Sequence, residues 1–148
     1  MEINHDQIVS VLKHIDAGRD EDMKKEVFCE LGRQCFTCRK VKEWVEGFHG
    51  DVQAFLDRVN VEDKSPYWKS LVFNEDRSIL YLTGKEGGKC ACVYAECDEP
   101  PLSLCRHCCR TFQEQIFGTL FGCDVEVEIT KAHLLGDHSC DTAIHIRR

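Results

Sequence analysis

The chain has 148 residues, of which 43% are hydrophobic and 30% charged, and its formal net charge is −7. This length suits a single domain with one core, spanning residues 1–148. The acidic balance argues against nucleic acid and against an anionic membrane surface as the main partner, because phosphate groups require a basic face.

The N-terminal stretch MEINHDQIVSVLKHID lacks the basic leader, the continuous apolar core and the cleavage site of a signal peptide. No apolar run approaches the ~20 residues that a membrane-spanning helix needs. We therefore expect a cytoplasmic protein. In a reducing cytosol, the eleven cysteines indicate metal binding, catalysis or thiol redox chemistry rather than a disulfide framework.

The first two predicted elements are helices. Residues 5–17 carry apolar side chains at helical spacing, and Gly18 is a plausible stop. Residues 20–31 form the second helix, with Asp20 as its N-cap. Glycine is a poor helix former, so we expect this helix to break at Gly32.

Two shorter helices follow, over residues 39–47 and over the segment DVQAFLDRVN that Asp51 caps. Residues 1–60 are thus the predicted helical part of the domain. The apolar faces of its short helices are consistent with a homodimer. The histidines of this part have no partner spacing and are interpreted as surface residues: His5, His14 and His49.

Residues 70–148 form the predicted strand-rich part, which also carries most of the cysteines. Segments 70–74 and 78–82 are rich in residues that favour strands, and a turn separates them. After a glycine-rich turn, KCACVYAEC reads as a third strand of an antiparallel meander.

A long helix is predicted from about Pro101 to Phe121, where Gly122 ends it. The alternating segment CDVEVEITKA and the final segment DTAIHIRR are predicted strands. The expected fold class is α+β, with N-terminal helices followed by an antiparallel sheet that one long helix crosses.

The stretch KCACVYAECDEPPLSLCRHCC holds six of the eleven cysteines. Residues two apart on a strand share a face, as do residues three apart on a helix. A strand, a turn at the two prolines and a helix could therefore aim four thiolates at one point, which suits zinc. The predicted metal ligands are Cys90, Cys92, Cys105 and Cys108.

Three other interpretations of the cysteines stay open. Four thiolates also suit an iron–sulfur cluster. A further group, Cys29, Cys35 and Cys38, either completes the first site or forms an independent centre for thiol exchange. Buried cysteines also serve as ordinary small apolar residues.

The C-terminal part resembles a known group of domains. The helix ending in FGTLFG, the strand VEVEI, the segment LGDHSC and the strand AIHI look like the closing half of 4-vinyl-reductase-like ligand-binding domains. They also look like the related families around aminothiazoline-carboxylate hydrolase, which include cysteine-rich bacterial members. Gly136, Asp137 and Cys140 fit the closing pattern of the group, and ELGRQC at 30–35 resembles another of its elements. The resemblance covers about residues 30–147.

This resemblance implies a small-molecule pocket between sheet and helices, in some relatives with a cysteine-ligated zinc nearby. Glu128 and Cys140 match two zinc ligands of the phenol-sensing relatives, but Lys131 and His133 lie where a cysteine is expected. The predicted function is therefore a small-molecule-binding domain, with zinc on the four cysteines named above.

A hydrolase is the alternative enzyme prediction, and the resemblance points to a small cyclic amide or thiazoline as its substrate. A cysteine nucleophile needs a base within reach. Cys140 with His138 or His133 is the candidate group by proximity in sequence.

Overall fold

The computed structural model describes residues 4–62, 68–86 and 92–147. Within these ranges the helices are α1 (His5–Ala17), α2 (Glu21–Cys38), α3 (Val41–Glu46), α4 (Val52–Asn60) and α5 (Arg110–Phe121). The strands are β1 (Trp68–Asn74), β2 (Ile79–Gly84), β3 (Asp124–Lys131) and β4 (Asp141–Arg147). Short 3₁₀ turns cover Val93–Ala95 and His133–Leu135, and a π-helix, Leu104–Cys109, leads directly into α5. The predicted α+β class is confirmed.

Side-chain caps set where the N-terminal helices begin. The Asn4 side chain accepts the Gln7 backbone N–H, and the Gln7 side chain accepts the Asn4 N–H in return, which completes a capping box. Asp20 and Asp51 cap α2 and α4 by accepting the N–H groups of residues three positions on. These beginnings agree with the prediction from sequence.

The four strands form one antiparallel sheet in the order β1-β2-β4-β3. The predicted third strand is wrong over its described part, because Val93–Ala95 is a 3₁₀ turn. The final strand β4 takes the place beside β2, with Leu80 opposite Ile144. Strand β4 is an interior strand of the sheet, and Ile144 and Ile146 on it are buried in the main core.

A main core lies between one face of the sheet and helices α3, α4 and α5. Alternation along the strands supplies the sheet side of it, as at Leu71, Leu80 and Leu82. The helices add large rings, and Phe55 and Phe117 are fully buried there. The predicted core role of Trp68 is confirmed, since its exposed fraction is 3%.

A second, smaller group of buried side chains joins α1, α2 and the π-helix. This small cluster consists of Leu12, Phe28, Leu104 and Cys108. It brings the Cys108 thiol into contact with aliphatic and aromatic groups, and it is separate from the main core.

The predicted break at Gly32 is wrong, because α2 continues through it to Cys38. Gly32 is buried, and a Cβ placed there would lie 2.4 Å from the carbonyl oxygen of Cys108. The glycine is therefore a point of close approach between α2 and the π-helix. Packing across this contact outweighs the ~1 kcal/mol by which glycine disfavours a helix.

Within the described residues, no helix is both long enough and apolar enough to cross a membrane.

Candidate functional site

The structure places the predicted metal ligands Cys92, Cys105 and Cys108 on two different elements. Cys90 lies outside the described residues. Cys92 precedes the first 3₁₀ turn rather than lying on a strand, and it packs at the edge of the small cluster. Cys105 and Cys108 are one turn apart on the π-helix, each with an exposed fraction of 5%.

Among residues 4–62, 68–86 and 92–147, no three His, Cys, Asp or Glu side chains come together as a metal site. A tetrahedral zinc site needs four donors at about 2.0–2.3 Å from the ion. The described side chains alone therefore do not fit a zinc ion. Because Cys90 lies outside these ranges, the four-cysteine site stays a prediction.

The structure instead pairs Cys108 with Cys35, a cysteine from the other group in the sequence. Cys35 lies in the last turn of α2, three residues after Gly32 and hence on the same helix face. The missing side chain at Gly32 lets the backbones of α2 and the π-helix approach, and that approach places the two thiols side by side. Both cysteines are present as thiols.

A hydrogen bond between these two thiols shifts their pKa values in opposite directions. The Cys108 S–H donates to Cys35, which lowers the pKa of Cys35 from 9.0 to about 7, and the positive charge of Arg39 acts in the same direction. The same bond, together with burial, raises the pKa of Cys108. The more accessible sulfur therefore ionises more readily than an ordinary thiol, and the buried one keeps its proton more firmly.

Two further cysteines lie close enough to influence the pair. Negative charge on Cys92 or Cys109 would raise the pKa of Cys108 further. The Cys109 sulfur accepts a hydrogen bond from the Gln113 amide at 3.5 Å, and Gln113 in turn accepts the Thr142 hydroxyl at 2.8 Å. This buried polar chain fixes the end of the π-helix to strand β4.

Residues 92–98, here called the strap, lie against the thiol pair and against α1. Burial and the neighbouring Cys35 and Cys92 raise the pKa of the Tyr94 phenol, which places this ring beside the thiols. His5 lies at the surface as interpreted from sequence, with a side chain that is 39% exposed, but it has partners that its spacing does not show. Its Nε2–H donates to the Val93 carbonyl at 2.7 Å, and its ring stacks nearly parallel to that of Tyr94.

The other cysteines singled out by sequence have local contacts. The Cys38 thiol is exposed and donates to the Gln34 side chain at 3.6 Å. The Cys140 sulfur accepts the backbone N–H of His133 at 3.4 Å. The His133 Nδ1 is 3.2 Å from the Asp137 carbonyl oxygen.

A surface groove lies along α2 and includes the partly exposed Cys29. The side chains around it are otherwise charged and all belong to this helix: Asp22, Lys25, Glu26, Glu30 and Arg33. This groove differs in position from the pocket between sheet and helices that the resemblance implies, and that pocket stays a prediction.

Sequence reasoning found the cysteines but missed which of them pair. The one local signal was the segment GRQC, where a glycine one turn before a cysteine on an amphipathic helix can mark a close helix contact. The partner, Cys108, lies 73 positions away along the chain, so only the packing of the π-helix on α2 reveals it.

Neither a protein-family model nor a curated protein matches the chain. Among solved structures, it is similar to subunit 3 of the trafficking protein particle complex from Naegleria fowleri, whose crystal structure has palmitic acid covalently bound. The TM-score is 0.46 at 12% identity, and the likeness covers 99% of this chain and 84% of that one. A likeness this distant assigns no function.

Proposed function

We propose that the protein performs thiol–disulfide exchange, with Cys35 as the attacking sulfur and Cys108 as the resolving sulfur. The observation that supports this most directly is the hydrogen-bonded pair of thiols joining α2 to the π-helix. An attacking thiol works best when its pKa lies near the ambient pH, and the pKa of Cys35 is about 7.

The reaction begins with attack by the Cys35 thiolate on one sulfur of a substrate disulfide. The S–S bond of the substrate breaks as a Cys35–substrate disulfide forms, and the first substrate sulfur leaves as a thiolate. Cys108 gives up its proton to that thiolate and attacks the Cys35 sulfur. The second substrate sulfur then leaves and takes a proton from solvent, so the substrate is reduced by two electrons while Cys35 and Cys108 become a disulfide.

The surroundings of the pair suit these two roles. Cys35 is the more exposed of the two sulfurs, whereas Cys108 is buried and reacts only with a sulfur already on Cys35. Arg39 lies one turn from Cys35 and lowers the pKa of its thiol by its charge. The close backbone approach at Gly32 brings α2 and the π-helix together one turn away from Cys35.

The test is to equilibrate the protein in glutathione redox buffers and to map disulfides by differential alkylation and mass spectrometry. Trypsin leaves Cys35 and Cys38 in one peptide, between Arg33 and Arg39, and Cys108 and Cys109 in another, between Arg106 and Arg110. The mapping is therefore done with Cys38 and Cys109 both replaced by Ser. We expect a Cys35–Cys108 disulfide and a Cys35 alkylation midpoint near pH 7. Replacing Cys108 with Ala should move that midpoint toward the ordinary cysteine range, while Cys38→Ser alone should leave it in place.

Failure of the Cys35–Cys108 disulfide to form over the whole range of buffers would overturn this proposal. The zinc-binding domain is the second candidate, supported by the packing of Cys92 against the small cluster that contains Cys108. Elemental analysis of protein purified without added metal distinguishes the two. About one zinc per chain, lost when Cys105 and Cys108 are replaced by Ser, would favour the zinc site.

A further inference from the structure

The strap is held on the molecule from one side by helix α1. The His5 ring donates to the Val93 carbonyl at 2.7 Å and stacks on Tyr94, with ring centroids 6.3 Å apart. Eight residues further along the same helix, the Lys13 ammonium donates to the Asp98 carbonyl. These contacts fasten both ends of residues 93–98 to α1.

On its other side the strap faces the thiol pair. Cys92, Tyr94 and Ala95 pack against the small cluster, of which Cys108 is a member. The Tyr94 ring stacks on His5 of α1 and packs against the small cluster, and a Cys35 thiolate lies near enough to raise the pKa of the Tyr94 hydroxyl, after the larger effect of burial.

The backbone hydrogen bonds within the strap are short-range. Ala95 N–H donates to the Cys92 carbonyl at 3.0 Å, and Cys97 N–H donates to the Ala95 carbonyl at 2.9 Å. These bonds make the strap a short turn that polar contacts from His5 and Lys13 hold to α1 and that apolar packing holds to the small cluster. Helix α1 has its own anchor, since Asp16 accepts the Ser103 backbone N–H at 3.2 Å and also its hydroxyl.

We propose that the strap gates access to the Cys35–Cys108 pair and that His5 and Lys13 hold it closed. This inference rests on the proposed thiol exchange and adds its regulation. Release of the two contacts lets Tyr94 swing away from the sulfurs while α1 stays attached through Asp16. Substrates then reach Cys35 from the side that the strap covers.

The test measures the rate of Cys35 alkylation by iodoacetamide in the Cys38→Ser background. His5→Ala and Lys13→Met should each raise the rate several-fold, and the double substitution should raise it further. The alkylation midpoint should stay near pH 7 in all of them, because the gate changes access and not acidity. His5→Gln should return the rate toward that of the parent, since its amide N–H can donate to the same carbonyl.

His14→Ala is the matched control, since it removes an exposed histidine from the same helix and should leave the rate unchanged. Thermal unfolding of each variant checks that α1 remains folded. An unchanged alkylation rate in the double variant, with the Cys35 midpoint still near pH 7, would overturn the proposal that the strap is a gate. It would not overturn the proposed thiol exchange. Loss of the Cys35–Cys108 disulfide in redox buffers would overturn the exchange itself.

Discussion

The main core and the small cluster are built by different means. In the main core, Trp44, Phe48, Phe55 and Trp68 form a continuous set of ring contacts with centroids 5.1–6.5 Å apart. In the small cluster a thiol, a π-helix and a helix glycine meet instead. The first arrangement maximises buried apolar area, and the second places a reactive sulfur next to a partner.

This difference indicates where stability and chemistry reside. A π-helix is rare, occurs mostly as a single turn within an α-helix, and is frequent at functional sites. Here it carries Cys105, Cys108 and Cys109. The region with the less regular packing is the region with the acidic thiol.

The largest expected effect comes from the main core. Phe55→Ala removes a fully buried ring that contacts four other aromatic side chains, so we expect a loss of about 3–5 kcal/mol in the free energy of unfolding. Leu12→Ala in the small cluster should cost about 2–3 kcal/mol. Guanidinium denaturation measures both changes.

The rate of Cys35 alkylation in the native protein tests whether the main core and the small cluster are energetically separate. Leu12→Ala should accelerate it, because α1 then packs less firmly over the strap and the thiol pair. Phe55→Ala should leave it unchanged under conditions where the variant is fully folded. Equal acceleration by both substitutions would show that the two regions are not energetically separate.

A smaller effect is expected at the contact between α2 and the π-helix. Gly32→Ala places a Cβ 2.4 Å from the Cys108 carbonyl oxygen and 3.1 Å from Cβ of Thr111, so the two helices must separate. We expect a loss of about 1–3 kcal/mol in the free energy of unfolding and slower formation of the Cys35–Cys108 disulfide.

Gly118→Ala is the matched control for this substitution. Gly118 lies within α5, and a Cβ there would meet its nearest neighbour at 3.4 Å, an ordinary contact. This change should be neutral or stabilising by up to about 1 kcal/mol, as expected for Ala in a helix. If both substitutions behave alike, the close approach at Gly32 does not constrain the thiol pair.

The smallest effect is a dependence of stability on pH. The pKa of Cys35 is lowered from 9.0 to about 7, so folding favours its thiolate. This contribution is fully present above the ordinary thiol pKa and is lost as the pH falls through about 7. Under reducing conditions, the stability of the parent relative to Cys35→Ser should therefore increase by about 1–2 kcal/mol between pH 7 and pH 9. Urea denaturation at the two pH values measures it, and a constant difference would contradict the thiolate assignment.

Local chemistry in the sequence determined much of the fold. The capping residues Asn4, Asp20 and Asp51 mark where helices begin, because each supplies an oxygen for an unpaired backbone N–H. Alternating apolar residues identified strand β3, and the glycine at 122 ends α5 in a left-handed conformation that suits glycine. The α+β class follows from these local signals alone.

Tertiary structure decided the features that depend on distant parts of the chain. Only packing shows that Gly32 continues a helix, since the benefit of its missing side chain lies in the Cys108 backbone opposite it. Only packing brings Cys35 to Cys108, and the acidity of Cys35 exists because that neighbour donates a hydrogen bond to it. The sequence by itself determined that this protein is rich in thiols. The fold decided which thiol carries the charge, because a pKa depends on a three-dimensional environment that residue spacing does not encode.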